Sequence, residues 1–532
     1  MPIEWGKCEM RWPSRTRAMR VARGQAMPIV LLFLAALCVG LLVLFNTGQV
    51  VSKKTQLVQT ADATAYSVAV SQARALNFAA YMNRAEVANE VAVAQIVSIY
   101  SWMNFAQTGA TNMSVAAKVA GALLSEIGIG VVLLEMSEVL DEINSVLNQV
   151  RHGARAAFEA IVTSVGALNF AYSEAAKASV TQVHLYADGD LVARRTVEAN
   201  NRANADAGMQ LSASTNVVLL GQVRTLAGYF PIYKILPNGP GGTMSESTQT
   251  PGGERLKNVV MQARDPYTRA RSQRIGGSLL LIRASLTMAG GTDLQGYHRW
   301  AGMDTFRFLI EEKRPTWSGF KWKTALDLPL AWGAAQAVAK SGSWSSYPLL
   351  PGINNGRGWS SPYDNKRYTP YNGAGGNGFV GRLAAIDPAG SDSPDNALLR
   401  DRALQKDKPR LQEYPDTSND PRSPIVSARA SSTSDWPIVS VEVEQALDAL
   451  HTSTHLEGMG AGQFTVPETA RGDKLRAVAS AQVYFARPRT LFARADGKRE
   501  LANLFSPYWQ VRLVDTPAAV KAQFLALDGI AP

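Results

Sequence analysis

Between Ala26 and Phe45 the chain reads AMPIVLLFLAALCVGLLVLF, twenty residues without a charge. As a helix rising ~1.5 Å per residue, this run spans the ~30 Å hydrocarbon core of a bilayer. In lipid every backbone polar group must be satisfied within the segment, so a helix is the form it is expected to take. Ahead of it lie Lys7, Arg11, Arg15, Arg17, Arg20 and Arg23 against Glu4 and Glu9. Such a basic excess stays on the cytoplasmic side, which places the rest of the chain across the membrane. The alternative is a cleaved secretory signal, whose apolar core is roughly 7–15 residues and ends at a small-x-small site. Here the core is longer, and Asn46-Thr47-Gly48 leads into further helix-forming sequence. The expectation is a single-pass inner-membrane anchor, with residues 1–25 as a cytoplasmic tail and 26–45 as the span.

With 532 residues, 46% apolar and 18% charged, the chain can bury a core in two or three packed regions. The only cysteines are Cys8 and Cys38, so no disulfide can staple the body beyond the span. Outside the tail, 48 basic residues face 42 acidic ones, scattered over about 490 positions. That surplus is too dilute for a nucleic-acid face. Lys53-Lys54, beside the membrane, is a basic pair placed to meet lipid headgroups.

Residues 46–236 read as a helical periplasmic stalk. The segment from Val50 to Gln222 contains no proline, and Leu57, Ala61, Ala65, Val68, Gln72, Leu76 and Ala79 recur at three- and four-residue steps. Small side chains along one stripe let a second helix approach closely, so this face is expected to bind a membrane-anchored partner. A second apolar stretch, Val115 to Leu134, holds Lys118 and Glu126, with Glu135 at its end. Charges at bilayer depth cost about 2.5–3.5 kcal/mol each, so a buried soluble helix is expected there, with the next break at His152-Gly153.

Residues 237–256, rich in Gly and Pro, mark a linker. Beyond it, residues 257–532 are expected to form a β-rich periplasmic head with long loops. Candidate strands of an antiparallel sheet or sandwich run over Ser278 to Leu286, Thr305 to Ile310, Ile438 to Val443, Ala479 to Phe485 and Tyr508 to Val514. The fold class is therefore α+β: an N-terminal transmembrane helix continuing into a helical stalk, then a β-rich C-terminal region.

Nothing in the sequence carries a recognisable catalytic or cofactor motif. GxSxG, GxxxxGK[ST] and CxxC are absent. A GxGxxG at Gly373, Gly375 and Gly378 follows polar and aromatic residues where a dinucleotide fold needs a hydrophobic strand, and reads as a surface loop. His451 and His455 have the i,i+4 spacing of two ligands on one helix face, with Glu457 nearby, but Thr452 stands where a zincin places Glu. His152, His184 and His298 have no nearby ligand partner in sequence. Glu311 and Glu312 are adjacent, and adjacent strand residues point to opposite faces, which separates the two carboxylates. The aromatics Trp344, Tyr347, Trp359, Tyr363, Tyr368 and Tyr371 suit either loop packing or a contact surface. The chain is expected to be no enzyme and to hold no metal or cofactor. Nothing in it sets an oligomeric state.

The stretch from Arg23 to Ala69 combines a basic tail, an arginine-glycine entry, one apolar helix and then Leu57-Val58-Gln59-Thr60-Ala61-Asp62-Ala63-Thr64-Ala65. In these features it resembles the amino-terminal region of TadE/TadG-like proteins of Flp-type (tight adherence) pilus systems. Gln59, Ala61, Asp62 and Ala63 carry the motif. Pilin-like precursors of such systems are cut after Gly, which implies Gly24 and Gln25 as a candidate cleavage point, but Ile29 stands fifth where those precursors commonly have Glu. That departure is similar to the TadG-like branch of anchored accessory components. PLAWGAAQA at Pro329 to Ala337, and the VYFARP and LFSPYWQVRL segments between Val483 and Leu513, are similar to parts of long TadG-like proteins. The DxSxS of a von Willebrand A domain is absent.

The resemblance implies an accessory component for assembly or anchoring of a Tad/Flp-type pilus, binding the membrane and other pilus-assembly membrane proteins and no nucleic acid. A surface adhesin or minor-pilin-like subunit of the same system is the first alternative. A membrane-tethered envelope enzyme is the second.

Overall fold

The computed structural model describes residues 26–127, 129–204, 208–235, 250–271, 273–295, 297, 299–339, 359–360, 367–368, 399–401, 410–418, 436–446, 474–488, 497–498 and 500–529. Its spine is one helix, α1 (Ala26–Leu123), in which the apolar run passes without a break into the amphipathic sequence. No proline interrupts it after Pro28, and that proline lies in the first turn, where its missing donor costs little. From Phe45 to Leu123 the helix is on the order of 115 Å long at ~1.5 Å per residue.

After a 3₁₀ turn at Ser125–Ile127 the chain folds back as α2 (Ile129–Ser179) and continues as α3 (Gln182–Ala203), whose amino end is capped by the Thr181 hydroxyl. The buried helix expected over Val115 to Leu134 is therefore the tip of a helical hairpin. Its apolar side chains are largely exposed, including Leu123, Ile129, Val131 and Val132. The helix is interrupted at the Ser125–Ile127 turn rather than at His152-Gly153, which lie within α2. Gly153 faces open space, so the helix tolerates it, whereas a Cβ on Gly130 would collide with the Gly121 carbonyl across the hairpin.

The remaining elements are β1 (Met209–Leu211), α4 (Ala213–Gly228), β2 (Ile232–Tyr233), α5 (Pro251–Ala263), α6 (Pro266–Arg269), β3 (Gln273–Leu279), β4 (Ile282–Gln295), β5 (Arg299–Thr316), β6 (Gly319–Ala339), β7 (Trp359–Ser360), β8 (Arg367–Tyr368), β9 (Leu399–Asp401), β10 (Tyr414–Pro415), β11 (Ile438–Ala446), β12 (Lys474–Phe485), β13 (Trp509–Val514) and α7 (Ala518–Leu527). A four-stranded antiparallel sheet has the order β1-β11-β12-β13, and a five-stranded one the order β3-β4-β5-β6-β9, with only β9 parallel to its neighbour. The described chain is thus α+β, mostly helical first and β-containing after.

The sheets lie alongside the spine. The small-residue stripe Leu57, Ala61, Ala65, Val68 and Leu76 shares one core with Leu185 and Ala193 of α3 and with Val441, Ala479 and Val483 of the four-stranded sheet. Higher up, Val93, Ala94, Val97 and Tyr100 share a second core with Leu256 and Val260 of α5 and Trp300 of β5. Here sheet and helix touch through glycine: a Cβ on Gly333 would collide with the α1 backbone at Ser101 and Phe105. Strands also cross the expected linker in sequence, because β1 pairs with β11 and β2 with β10. Residues 251–256 of that linker form the first turns of α5, capped by Thr250 with Pro251 at its start. The residues from 236 to 249 lie outside the described ones.

Candidate interaction surfaces

The stripe expected to capture a partner is not available for one. Leu57, Ala61, Ala65 and Val68 are all fully buried within the chain's own core. The small side chains do permit close approach, but of α3: a Cβ on Gly189 would lie 3.3 Å from Val68 Cγ1. Of the motif residues, Gln59 is exposed, Ala61 buried, and Asp62 and Ala63 half-buried. Burial pushes the Asp62 carboxyl above its ordinary range. Lys54, expected at lipid headgroups, instead donates to the Arg476 backbone carbonyl of β12. Gly24 and Gln25, the GxGxxG loop, His451, His455, Glu457, Trp344, Tyr347, Tyr363 and Tyr371 lie outside the described residues. Trp359 and Tyr368 are opposed across the β7–β8 ladder.

Carboxylates inside the fold are held by the chain itself. Glu90 of α1, fully buried, accepts from Trp300 Nε1 at 2.7 Å, Asn169 Nδ2 at 2.8 Å and Arg410 Nη2 at 3.1 Å. One turn earlier Glu86 accepts from the Gln412 backbone N–H at 2.8 Å, and burial holds its carboxyl well above the usual range. Arg271 binds Asp304 at 2.6 Å, and Asp304 accepts from Ser101 at 2.7 Å. Each cluster pins a strand or loop to α1. Glu311 is bound by Arg274 and Arg283, and Glu312 by Arg314, so the two carboxylates serve separate ion pairs on β5. Among the described residues no group of His, Cys, Asp or Glu has the arrangement of a metal site.

The surface features lie at the end away from the apolar segment. β5 climbs in the same direction as α1, since Trp300 meets Glu90, Gly302 lies against Val97 and Ser101, and Asp304 meets Ser101. Beyond this contact the sheet continues as an arm. Its first hairpin turns at Leu280, which adopts a left-handed φ of 49°. The single strand expected over Ser278 to Leu286 is therefore two strands and a turn. Leu279, Leu280, Leu281 and Ile282 at that tip are 79%, 90%, 57% and 56% exposed, and on the neighbouring β5–β6 tip Trp317 and Phe320 project fully or largely into solvent. Lys313, Lys321 and Lys323 near them are exposed, as are Arg274 and Arg314, which pair with Glu311 and Glu312. Such an apolar crown inside a basic collar is what an interaction site exposes and a solitary protein avoids.

The base of α1 has a complementary character. One helix among the described residues is long and apolar enough to cross a membrane, and none of its most apolar window is buried. Residues 24–72 match the model of the Flp pilus-assembly TadE/G-like family. The match covers the apolar run, the Leu57-to-Ala65 motif and the start of the first core. No curated protein matches the chain. No solved structure matches it.

Proposed function

We propose that this protein is an inner-membrane-anchored accessory component of a Tad/Flp-type pilus system, and that it acts by protein–protein binding without catalysis. Its TadE/G-like segment ties it to that system. In this reading the basic tail is cytoplasmic, α1 crosses the membrane once, and everything beyond Phe45 is periplasmic. The observation that carries the binding role is the exposed apolar tip of the β arm, which the spine holds far from the anchor. Trp317 is of the residue type that dominates interface hot spots, and the exposed Leu280 on the neighbouring tip adds apolar area beside it. The collar of Lys and Arg selects a partner surface that is apolar at its centre and acidic at its rim.

The test is capture from cross-linked membranes with a carboxyl-terminal tag, comparing the natural chain with Trp317→Ser/Leu280→Ser. Recovery of pilus-assembly proteins should fall roughly tenfold or more in the double variant, with membrane retention unchanged. Equal recovery would overturn the assignment of the arm. Detection of the tagged chain on the cell exterior would move the reading to a surface adhesin using the same arm.

A further inference from the structure

Helix α2 is inside-out over its first six turns. Ser137, Asp141, Asn144, Asn148 and Arg151 lie on or beside the face turned to α1: Ser114 bonds Asp141, Lys118 pairs with Asp141, and Arg151 reaches Asn104. A row of apolar residues looks the other way, while Leu133, Leu140 and Leu147 beside it are half-buried. Ile129, Val132, Met136, Val139, Ile143, Val146 and Val150 are 57%, 63%, 44%, 56%, 45%, 55% and 54% exposed. Their spacing alternates three and four without a slip, the 3.5-residue repeat that keeps one seam facing a partner helix. In heptad terms Ile129, Met136, Ile143 and Val150 are a positions, and Val132, Val139 and Val146 are d positions.

We propose that this seam packs in parallel, in register, against the same seam of a second copy of the chain. Three observations select that occupant. The first is that copies anchored through Ala26–Phe45 in one membrane carry α2 at the same height and in the same direction, so a meets a and d meets d without a search for register. Charge is the second: the g positions are Glu135, Glu142 and Gln149, and the e positions are Leu133, Leu140 and Leu147. A parallel pair sets g of one helix beside e of the other, so each glutamate lies beside a leucine and no two carboxylates oppose each other. A partner recognised by charge would find acidic groups on one flank only. Third, these side chains offer on the order of 600–800 Å² per copy, the half-interface of a standard-size stable complex. β-Branched residues at both a and d allow a third strand as well as a second. The inference goes beyond the pilus reading and requires only that the chain be membrane-anchored.

The experiment is oxidative cross-linking of the full-length chain in membranes, in a Cys8→Ser/Cys38→Ser background, with one cysteine at Val139→Cys or Glu138→Cys. Position 139 faces the seam and 138 points away from it, and cysteines whose Cβ vectors diverge cannot be bridged. Covalent dimer should form roughly tenfold more at 139 than at 138, and Val146→Glu in the same chain should abolish it. Equal yields at the two positions would overturn the proposal. So would a 139 adduct whose mass shows a different polypeptide, since the occupant would then be another chain. The substituted side chains are exposed, so the protomer's melting temperature serves as the control for folding.

Discussion

Glu90 shows most clearly what a single residue does here. A carboxylate with no exposure, ringed by Trp300, Asn169 and Arg410, joins α1 to β5, α2 and the Arg410 segment. Removing one partner leaves the other charged and unsolvated, at a cost of about 3–5 kcal/mol. Arg410→Ala should therefore sharply increase protease cleavage of the body, and Glu90→Gln/Arg410→Met should cost less than Arg410→Ala alone. The small-residue stripe makes a second prediction. Ala61 is fully buried in the core shared by α1, α3 and the four-stranded sheet, so Ala61→Leu should destabilise the base by about 1–3 kcal/mol through overpacking, read as earlier urea unfolding. A partner-binding stripe would leave the isolated chain's stability unchanged.

A titration belongs at this scale too. Burial, with Asp528 nearby, pushes the Glu442 carboxyl on β11 up to about 7. A carboxyl whose folded pKa lies above its unfolded value binds a proton in the native state first. Its stabilising contribution is complete below the unfolded value and is lost as pH rises through about 7. Asp528 caps α7 and bonds Ser214, so α7 should be the element that loosens. Amide exchange in Ala518–Leu527 should quicken from pH 6 to pH 8 beyond the intrinsic rate, and Glu442→Gln should remove that extra change.

Elements differ in how legible they are. The span and its continuation into α1 follow from composition and periodicity, because hydrophobic length and small-residue spacing are local properties. The stripe was also legible as a packing face. A stripe does not encode which chain will cover it, and here the cover is α3 and the four-stranded sheet. The second half of β6 has little local strand signal: AWGAAQAVA is alanine-rich, a poor strand former, and its place is set by pairing with β5 and by the close approach of Ala331 and Gly333 to α1. The hairpin at Leu280 has no Gly or Asn to announce the turn. The two faces of α2 are not told apart by sequence, because only burial shows that its polar face, not its apolar one, meets α1. Gly333 makes the contact argument testable. Gly333→Val should separate β6 from α1 and lower the melting temperature, while Gly153→Val, at an open position, should leave it unchanged.

Across the whole molecule, chain order and spatial order diverge. β11, β12 and β13, late in sequence, pack on the lower part of α1, where Asn77 bonds Trp509 in both directions at 3.0 Å. The middle of the sequence supplies the surfaces farthest from the apolar end of α1. One continuous helix links an apolar base matching a pilus-assembly family to an exposed arm and an exposed seam. Cross-linking mass spectrometry on intact membranes tests this most directly. The account predicts that links to other pilus-system proteins fall on the arm, within residues 273–288 and 306–325. Links concentrated on residues 46–80, with none on the arm, would contradict it.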